Sequence, residues 1–410
     1  MDTIPLAPRA NLDHYRKLAK ELLGAWQSKN QDAARLWAKR WLERLAKLRG
    51  AVWGSGTIDD GANRVVVLVD DQATEKASLA DAQHVLARLH GFESWPRFGE
   101  HLRALRGTST DEAQFEAAAD AVVTGDLDRL RELLASTPTL IRARSSRRHR
   151  STLLHYVAAN GIEDVRQQTP ANIVSVARLL IEAGAEIDAV NGDHGGNGTA
   201  LGLVATSQNP RSAGVQQALM ELLLAAGADL NGVPGGWQPM RSALANGCPE
   251  AAEWLAAHGA RMDVVTAAGV GDVDVLERCL AAGDVASAEL EKALVFACGC
   301  GRTDAAKLLL DRGVDVGALH GQTGLHLATH SAHLETVRFL LSRGAPLEVK
   351  NRFGGTVLDQ ALWSAVHNRG HDHVSIVEAL LDAGAIVDPS LSTGIDAIDT
   401  LLRRAVTRSR

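Results

Sequence analysis

Histidine is the residue type whose spacing most invites chemistry in this chain of 410 residues. His326, His330 and His333 fall at i, i+4 and i+7, one face of a helix, and His367, His371 and His373 form a second group. Neutral imidazoles so spaced suit zinc, which takes about four N, S or O ligands. In an enzyme, His330, His371 or His373 would serve as acid–base groups. Cys298-Gly299-Cys300 has no second pair at zinc-finger distance, so small core residues are expected there, with no metal and no cofactor. Gly-x-Ser-x-Gly, Gly-x-x-x-x-Gly-Lys-Ser/Thr and His-Glu-x-x-His are all absent. The glycine-rich run Gly192–Gly198 follows no strand pattern and reads as a surface loop.

Arg142, Arg144, Arg147, Arg148 and Arg150, with His149, form the densest positive cluster. Exposed guanidinium groups fork onto carboxylates or phosphates, so Arg144, Arg147 and Arg148 are candidate contacts for an acidic protein partner. Nucleic acid is disfavoured, because one loop supplies few phosphate contacts and the chain carries a net charge of -6. A second basic stretch, Arg9 to Arg49, holds eleven Lys/Arg against four Asp/Glu. Four cysteines are too few and too clustered for a disulfide framework. The chain shows neither a secretory leader pattern nor an apolar run of membrane-spanning length, so a cytoplasmic protein that meets no membrane is expected.

These side chains are positioned by a repeating element. Phrases such as Leu222-Leu223-Leu224-Ala225-Ala226-Gly227-Ala228 and Leu340-Leu341-Ser342-Arg343-Gly344-Ala345 recur, each ending on a glycine that suits a helix stop. Gly184, Gly227, Gly259, Gly283, Gly313, Gly344 and Gly384 are separated by 43, 32, 24, 30, 31 and 40 residues. Thr323-Gly324-Leu325-His326-Leu327-Ala328, followed by His333 to Leu341 and Gly344-Ala345, resembles an ankyrin repeat, and Thr152 to Ala158 and Thr356 to Ala361 repeat its opening phrase. The resemblance implies an all-α ankyrin-repeat solenoid. About eight units are expected, some degenerate: 112–150, 151–198, 199–238, 239–263, 264–292, 293–322, 323–355 and 356–389, with a closing helix near 393–404. Its pattern also carries histidine for structural reasons at the positions of His326 and His333. The short joins after Gly259 and Gly283 leave no room for the usual protruding hairpin, or finger.

Ahead of the array, helical spacing predicts helices over 11–28 and 31–49, and two more opening at Ser78 and Ser94. Gly50 to Gly61 reads as a linker and the β-branched run Arg64–Val69 as a short strand. Asn11-Leu12, Leu79-Ala80-Asp81-Ala82-Gln83 and Gly91-Phe92-Glu93-Ser94-Trp95-Pro96 are similar to a helical region that precedes ankyrin arrays in bacterial proteins, which implies a bacterial origin. Trp26, Trp37, Trp41, Trp53 and Trp95 are expected in its core. The expected domains are 1–107, helical with a linker and strand insertion at 50–76; 108–389, the array; and 390–410, a capping helix and tail.

The resemblance implies that the fifth and eighth residues of each first helix face the concave side. One such row is Tyr156, Leu203, Ser242, Thr266, Phe296, Leu327 and Gln360; the other is Ala159, Thr206, Ala245, Gly269, Gly299, His330 and Trp363. With Trp237 and Phe353 at finger tips, the binding candidates are Tyr156, Trp237, Phe296, His330, Phe353 and Trp363. Aromatic anchors in smooth surroundings concentrate binding energy, so the expected function is a non-catalytic adaptor that holds a protein partner. The rivals are an enzyme in the groove or at the domain junction, and a small-molecule carrier with a cavity between the helical domain and the first repeat.

Overall fold

The computed structural model describes residues 3–8, 11–28, 32–50, 53–72, 77–107, 110–160, 163, 166–192, 197–283, 285–368 and 372–408. It divides into two compact units, Met1–Gln238 and Pro239–Arg410. Among the described residues there is no β-strand, only isolated bridges at Asn191–Gly198 and His320–Gln322.

The first unit opens with α1 (Leu12–Trp26), α2 (Ala33–Arg49), α3 (Ser55–Asp71), α4 (Leu79–Leu89) and α5 (Trp95–Ala104). Asn11 caps α1, and Ser78 and Asp81 form a reciprocal capping box on α4. Trp37 and Trp41, one turn apart, are buried and stack with centroids 5.3 Å apart, while Trp26, Trp53 and Trp95 pack half-buried on the same core.

The strand expected at 64–69 is instead the second half of helix α3. Its β-branched run has strand propensity, but Gly61, Ala62, Val65, Leu68 and Val69 are all buried and recur at helical spacing. Gly61 lets α3 approach α2 so closely that an added Cβ would lie 2.7 Å from Leu42. Burial of that face overrides local propensity.

The same unit continues with α6 (Asp111–Thr124) and α7 (Leu127–Ser136), then a 3₁₀ turn (Leu153–Ala158) paired with α8 (Ile173–Glu182). Next come α9 (Ala200–Ala205), a short inserted α10 (Gln208–Ser212) and α11 (Gln216–Ala225). The second unit repeats the pairing in α12 (Pro239–Ala245) with α13 (Pro249–Ala257), α14 (Val264–Val270) with α15 (Val273–Ala281), and α16 (Ser287–Gly299) with α17 (Thr303–Asp311). It ends with α18 (Gly324–His330) and α19 (Leu334–Ser342), α20 (Val357–His367) and α21 (His373–Asp382), and finally α22 (Asp396–Arg408) packed on α21. First helices α12, α14, α16, α18 and α20 contact one another in chain order, and so do second helices α15, α17, α19 and α21. Each pair thus covers the apolar side that its neighbour cannot hide alone.

The repeated phrase works as its chemistry requires. The Thr323 hydroxyl accepts the His326 amide, and those of Thr199 and Thr356 accept the Gly202 and Asp359 amides. All seven closing glycines lie in the left-handed region, with φ from 78° at Gly344 to 96° at Gly227 and Gly384. Where the joins are short, α14 begins at Val264 and α16 at Ser287, within a few residues of the preceding helix. Leu340 is fully buried among Leu325, Val337, Leu358 and Ile376. Leu340→Ala is expected to cost about 2–5 kcal/mol through the cavity it leaves, read as a lowered urea midpoint; a loss under about 1 kcal/mol would show a loosely packed stack.

Candidate functional site

The aromatic row develops in the second unit. Trp363, on the exposed side of α20, is 50% accessible despite its size. Its ring stacks on His367, one turn later, at 4.4 Å and 16°, and on His330 of α18 at 6.0 Å and 29°. Both imidazoles are fixed by polar contacts. Gln360 Nε2 donates to His330 Nδ1 and to Ser364 Oγ, each at 3.2 Å, and His367 Nδ1 donates to the Trp363 carbonyl at 2.7 Å. Burial lowers the His330 pKa, which keeps that ring neutral and its Nδ1 an acceptor. Phe296 and Leu327 are half-buried in the neighbouring row, and an added Cβ at Gly299 would lie 3.1 Å from Leu327.

Two finger tips of this unit carry apolar side chains into solvent. Phe353 is 75% exposed beneath the Arg352 guanidinium, 4.8 Å from its ring centroid, and Asn351 Oδ1 braces the turn by accepting the Phe353 and Gly355 amides. The adjacent tip presents Leu319, 53% exposed, and the Arg352 amide donates to the Gly321 carbonyl, tying the two tips together. Leu319 was not singled out from the sequence, and His367 was read there as part of a histidine group rather than as a support for Trp363. Their signals were a lone leucine before Gly321 and a histidine four residues after a tryptophan.

Trp237, in the first unit, is half-buried, and its ring would lie 3.6 Å from a Cβ at Gly198. Tyr156 is not on a surface at all, being 1% exposed. Its hydroxyl donates to Glu163 Oε1 at 2.8 Å, and the Arg166 guanidinium lies 5.6 Å from its ring centroid. Both charged residues belong to the insertion after Ala158, which folds over the place where the row was expected to open. Leu203, Thr206 and Thr266 of the expected rows are buried too.

The arginine cluster is likewise divided. Arg147, expected to be exposed, is 4% exposed. It pairs with Glu116 at 3.2 Å and Glu163 at 3.3 Å and donates to the His90 carbonyl at 3.0 Å. Arg166 meets the same two carboxylates at 2.9 and 3.2 Å and reaches Asp120 at 2.8 Å. Burial pulls the Glu163 carboxyl upward, but Arg147 and Arg166 outweigh it and hold the group well below the carboxylate range. Burial opposes the charge on Arg147 as well, and Glu116 and Glu163 overcome it. Arg144 is half-buried and donates to the carbonyls of Arg150 and Val190, and His149 is buried within 3.4 Å of Glu163. Arg142, Arg148 and Arg150 are exposed.

The i, i+4, i+7 histidines have separate tasks. His326 Nδ1 accepts the Thr323 amide and Nε2 donates to the Gly355 carbonyl at 3.3 Å, so both nitrogens are taken up in joining a helix start to a finger. His155 repeats this with Thr152 and Gly198. The His333 ring crowds Gly301, whose added Cβ would lie 2.7 Å from Nδ1. No group of three potential ligands is found among the described residues. His371 and Asp193–Gly196 of the glycine-rich run lie outside the described residues. Burial pushes the Cys298 and Cys300 thiols up to about 12, so neither is a thiolate nucleophile at neutral pH.

In the first unit, a cavity of about 470 Å³ lies against α5, the start of α6 and the arginine finger, with Phe92, His101, Ser146 and Arg147 among its walls. Its charged lining mixes Arg97, Arg148 and Arg150 with Glu93, Glu100 and Glu112.

The family model for ankyrin repeats (three copies) matches residues 264–351 and 294–393. Among solved structures, the human ASB11 ankyrin repeat domain is 24% identical, with 66% of this chain and 99% of that chain covered and a TM-score of 0.36. The ankyrin repeat domain of Bcl-3, a member of the IkappaB protein family, is also 24% identical, with 60% and 92% covered and a TM-score of 0.32. No curated protein matches.

Proposed function

We propose that the ankyrin repeats of the second unit hold a protein partner, with Trp363 as the anchor and the Leu319 and Phe353 finger tips as flanking contacts. Ankyrin repeats in general mediate protein–protein interaction, and residues 264–393 carry them. The observation that carries the reading is Trp363 itself, a half-exposed indole stacked on two hydrogen-bonded imidazoles. A large aromatic surface held in one orientation loses little entropy on binding. In the first unit, Arg148 with its exposed neighbours Arg142 and Arg150 is the cationic finger for an acidic stretch of partner. The setting we propose is a bacterial cytoplasm. Four free cysteines suit a reducing compartment, and among the described residues no helix is long and apolar enough to cross a membrane.

The test begins with affinity capture from the native host and mass spectrometry, then calorimetry with the purified partner. His330→Ala combined with Trp363→Ala is expected to weaken binding at least about 30-fold, the scale of a hot-spot loss, with the melting temperature unchanged. Equal binding by the double variant sinks the reading. Unfolding of the variant would make these residues structural, in which case Phe353→Ser, at an exposed tip, decides the matter.

A further inference from the structure

We propose that the far end of the second unit is a self-association surface, on which two copies of this chain meet about a two-fold axis over the groove between α21 and α22. The groove has a volume of about 440 Å³ and is lined by Leu381, Ile386, Val387, Leu401 and Val406. Ile386 is 71% exposed. It stands two residues after the helix-closing Gly384, a position where the chain elsewhere places the exposed acids Glu186, Asp229 and Asp315. Arg261, Val285 and Pro346 take that position in the remaining repeats, and an isoleucine this exposed, continuous with an apolar groove, marks an interaction surface.

The groove is held in shape by its own polar contacts. The Ile386 amide donates to Glu348 Oε1 at 3.0 Å. Asp399, in the first turn of α22, accepts the Thr393 amide at 2.8 Å and the Ser392 hydroxyl at 2.8 Å, and these bonds hold its carboxyl at about 2. Loop and helix are therefore fixed before any partner arrives.

The occupant follows from charge. Glu378 on α21 and Arg404 on α22 are exposed groups lining this one groove, with no ion pair between them or to any other described residue. A two-fold contact uses the same patch twice, so the patch must complement itself. Rotation about the groove lays Arg404 of one protomer against Glu378 of its partner, twice, with the Ile386 side chains between. A partner of a single charge sign would leave one of the two unanswered.

Sedimentation equilibrium of the full chain is expected to show a dimer at about 100 µM, above the micromolar Kd of a small interface. Ile386→Asp gives this repeat the acid that Asp229 and Asp315 supply in two others and is expected to weaken association at least about tenfold with no change in melting. Arg404→Glu and Glu378→Arg are each expected to be monomeric, and mixing the two proteins is expected to give a heterodimer. A monomeric wild-type chain at that concentration overturns the proposal. So does an Ile386→Asp protein that stays dimeric, which would put the contact elsewhere, and so does a mixture of the charge variants that fails to associate.

Discussion

Between pH 7 and pH 5 the first unit is expected to lose about 6 kcal/mol of stability, enough to unfold a domain of ordinary marginal stability. The cause is three buried histidines. Burial lowers His90 to about 3 and His101 and His155 to about 4, from an ordinary value of 6.5. A group whose pKa is depressed by folding contributes its full stability above the unfolded value and loses it as the pH falls. Here the window runs from 6.5 down to about 4, because the unfolded chain takes up protons that the folded chain refuses. The slope is about 1.4 kcal/mol per pH unit for each histidine, so at pH 5 each has given up about 2 kcal/mol. Geometry points the same way for His155, whose Nδ1 accepts the Thr152 amide and has no room for a proton. Below the ordinary carboxylate range, Glu116 and Glu163 follow, since their ion pairs hold their folded pKa values low. In the second unit His326 and His330 are also lowered by burial, but His330 is only half-buried, so that unit is expected to outlast the first. Hydrogen exchange read segment by segment at pH 7, 6 and 5 checks the order. Protection of Tyr15, Leu86 and Tyr156 that does not change across that range would show that the histidines are not enclosed as described.

Arg147→Ala is expected to cost about 3–5 kcal/mol, the scale for removing one partner from a buried ion pair. Arg147 and Arg166 balance Glu116 and Glu163 in a space where all four side chains are at most 12% exposed. Without Arg147 a negative charge is left enclosed, the His90 carbonyl loses its donor, and the Phe92 ring loses the guanidinium 5.6 Å from its centroid. The double variant Glu163→Gln with Arg147→Met is expected to be more stable than the sum of the single losses, because it removes charge of both signs together. Urea unfolding at pH 7 gives the comparison, and repeating it in 1 M salt separates the enclosed network from exposed pairs, which salt screens. A single-variant loss below about 1 kcal/mol would mean that water reaches these groups and the pairs are worth little.

The sequence was a good guide wherever one residue settles its own neighbourhood. A closing glycine stops its helix through its own φ, and a threonine caps through its own hydroxyl, so Gly184 to Gly384, Thr323 and Thr356 were legible without a fold. It misled where the deciding partner was distant in the chain. Arg147 looked exposed because Glu116 lies 31 residues before it and Glu163 sits in an insertion whose path no local pattern gives. Tyr156 looked concave because residues were counted along a full helix, whereas the chain there makes a 3₁₀ turn that stops at Ala158. Residues 64–69 were read by propensity, and the close approach at Gly61 decided otherwise. Of the candidate binding residues, Trp363 and Phe353 present open surface, Trp237, Phe296 and His330 are partly covered, and Tyr156 is enclosed.

The bond from the Arg352 amide to the Gly321 carbonyl makes Leu319 and Phe353 a matched pair of teeth on consecutive repeats. Packed helices stand about 8–10 Å apart, and a polyproline II peptide advances about 3.1 Å per residue with three residues per turn. Such a peptide lying across both teeth would therefore offer them side chains three positions apart on one face. For the binding proposed above, a tetrapeptide with an oily residue at each end spans both teeth.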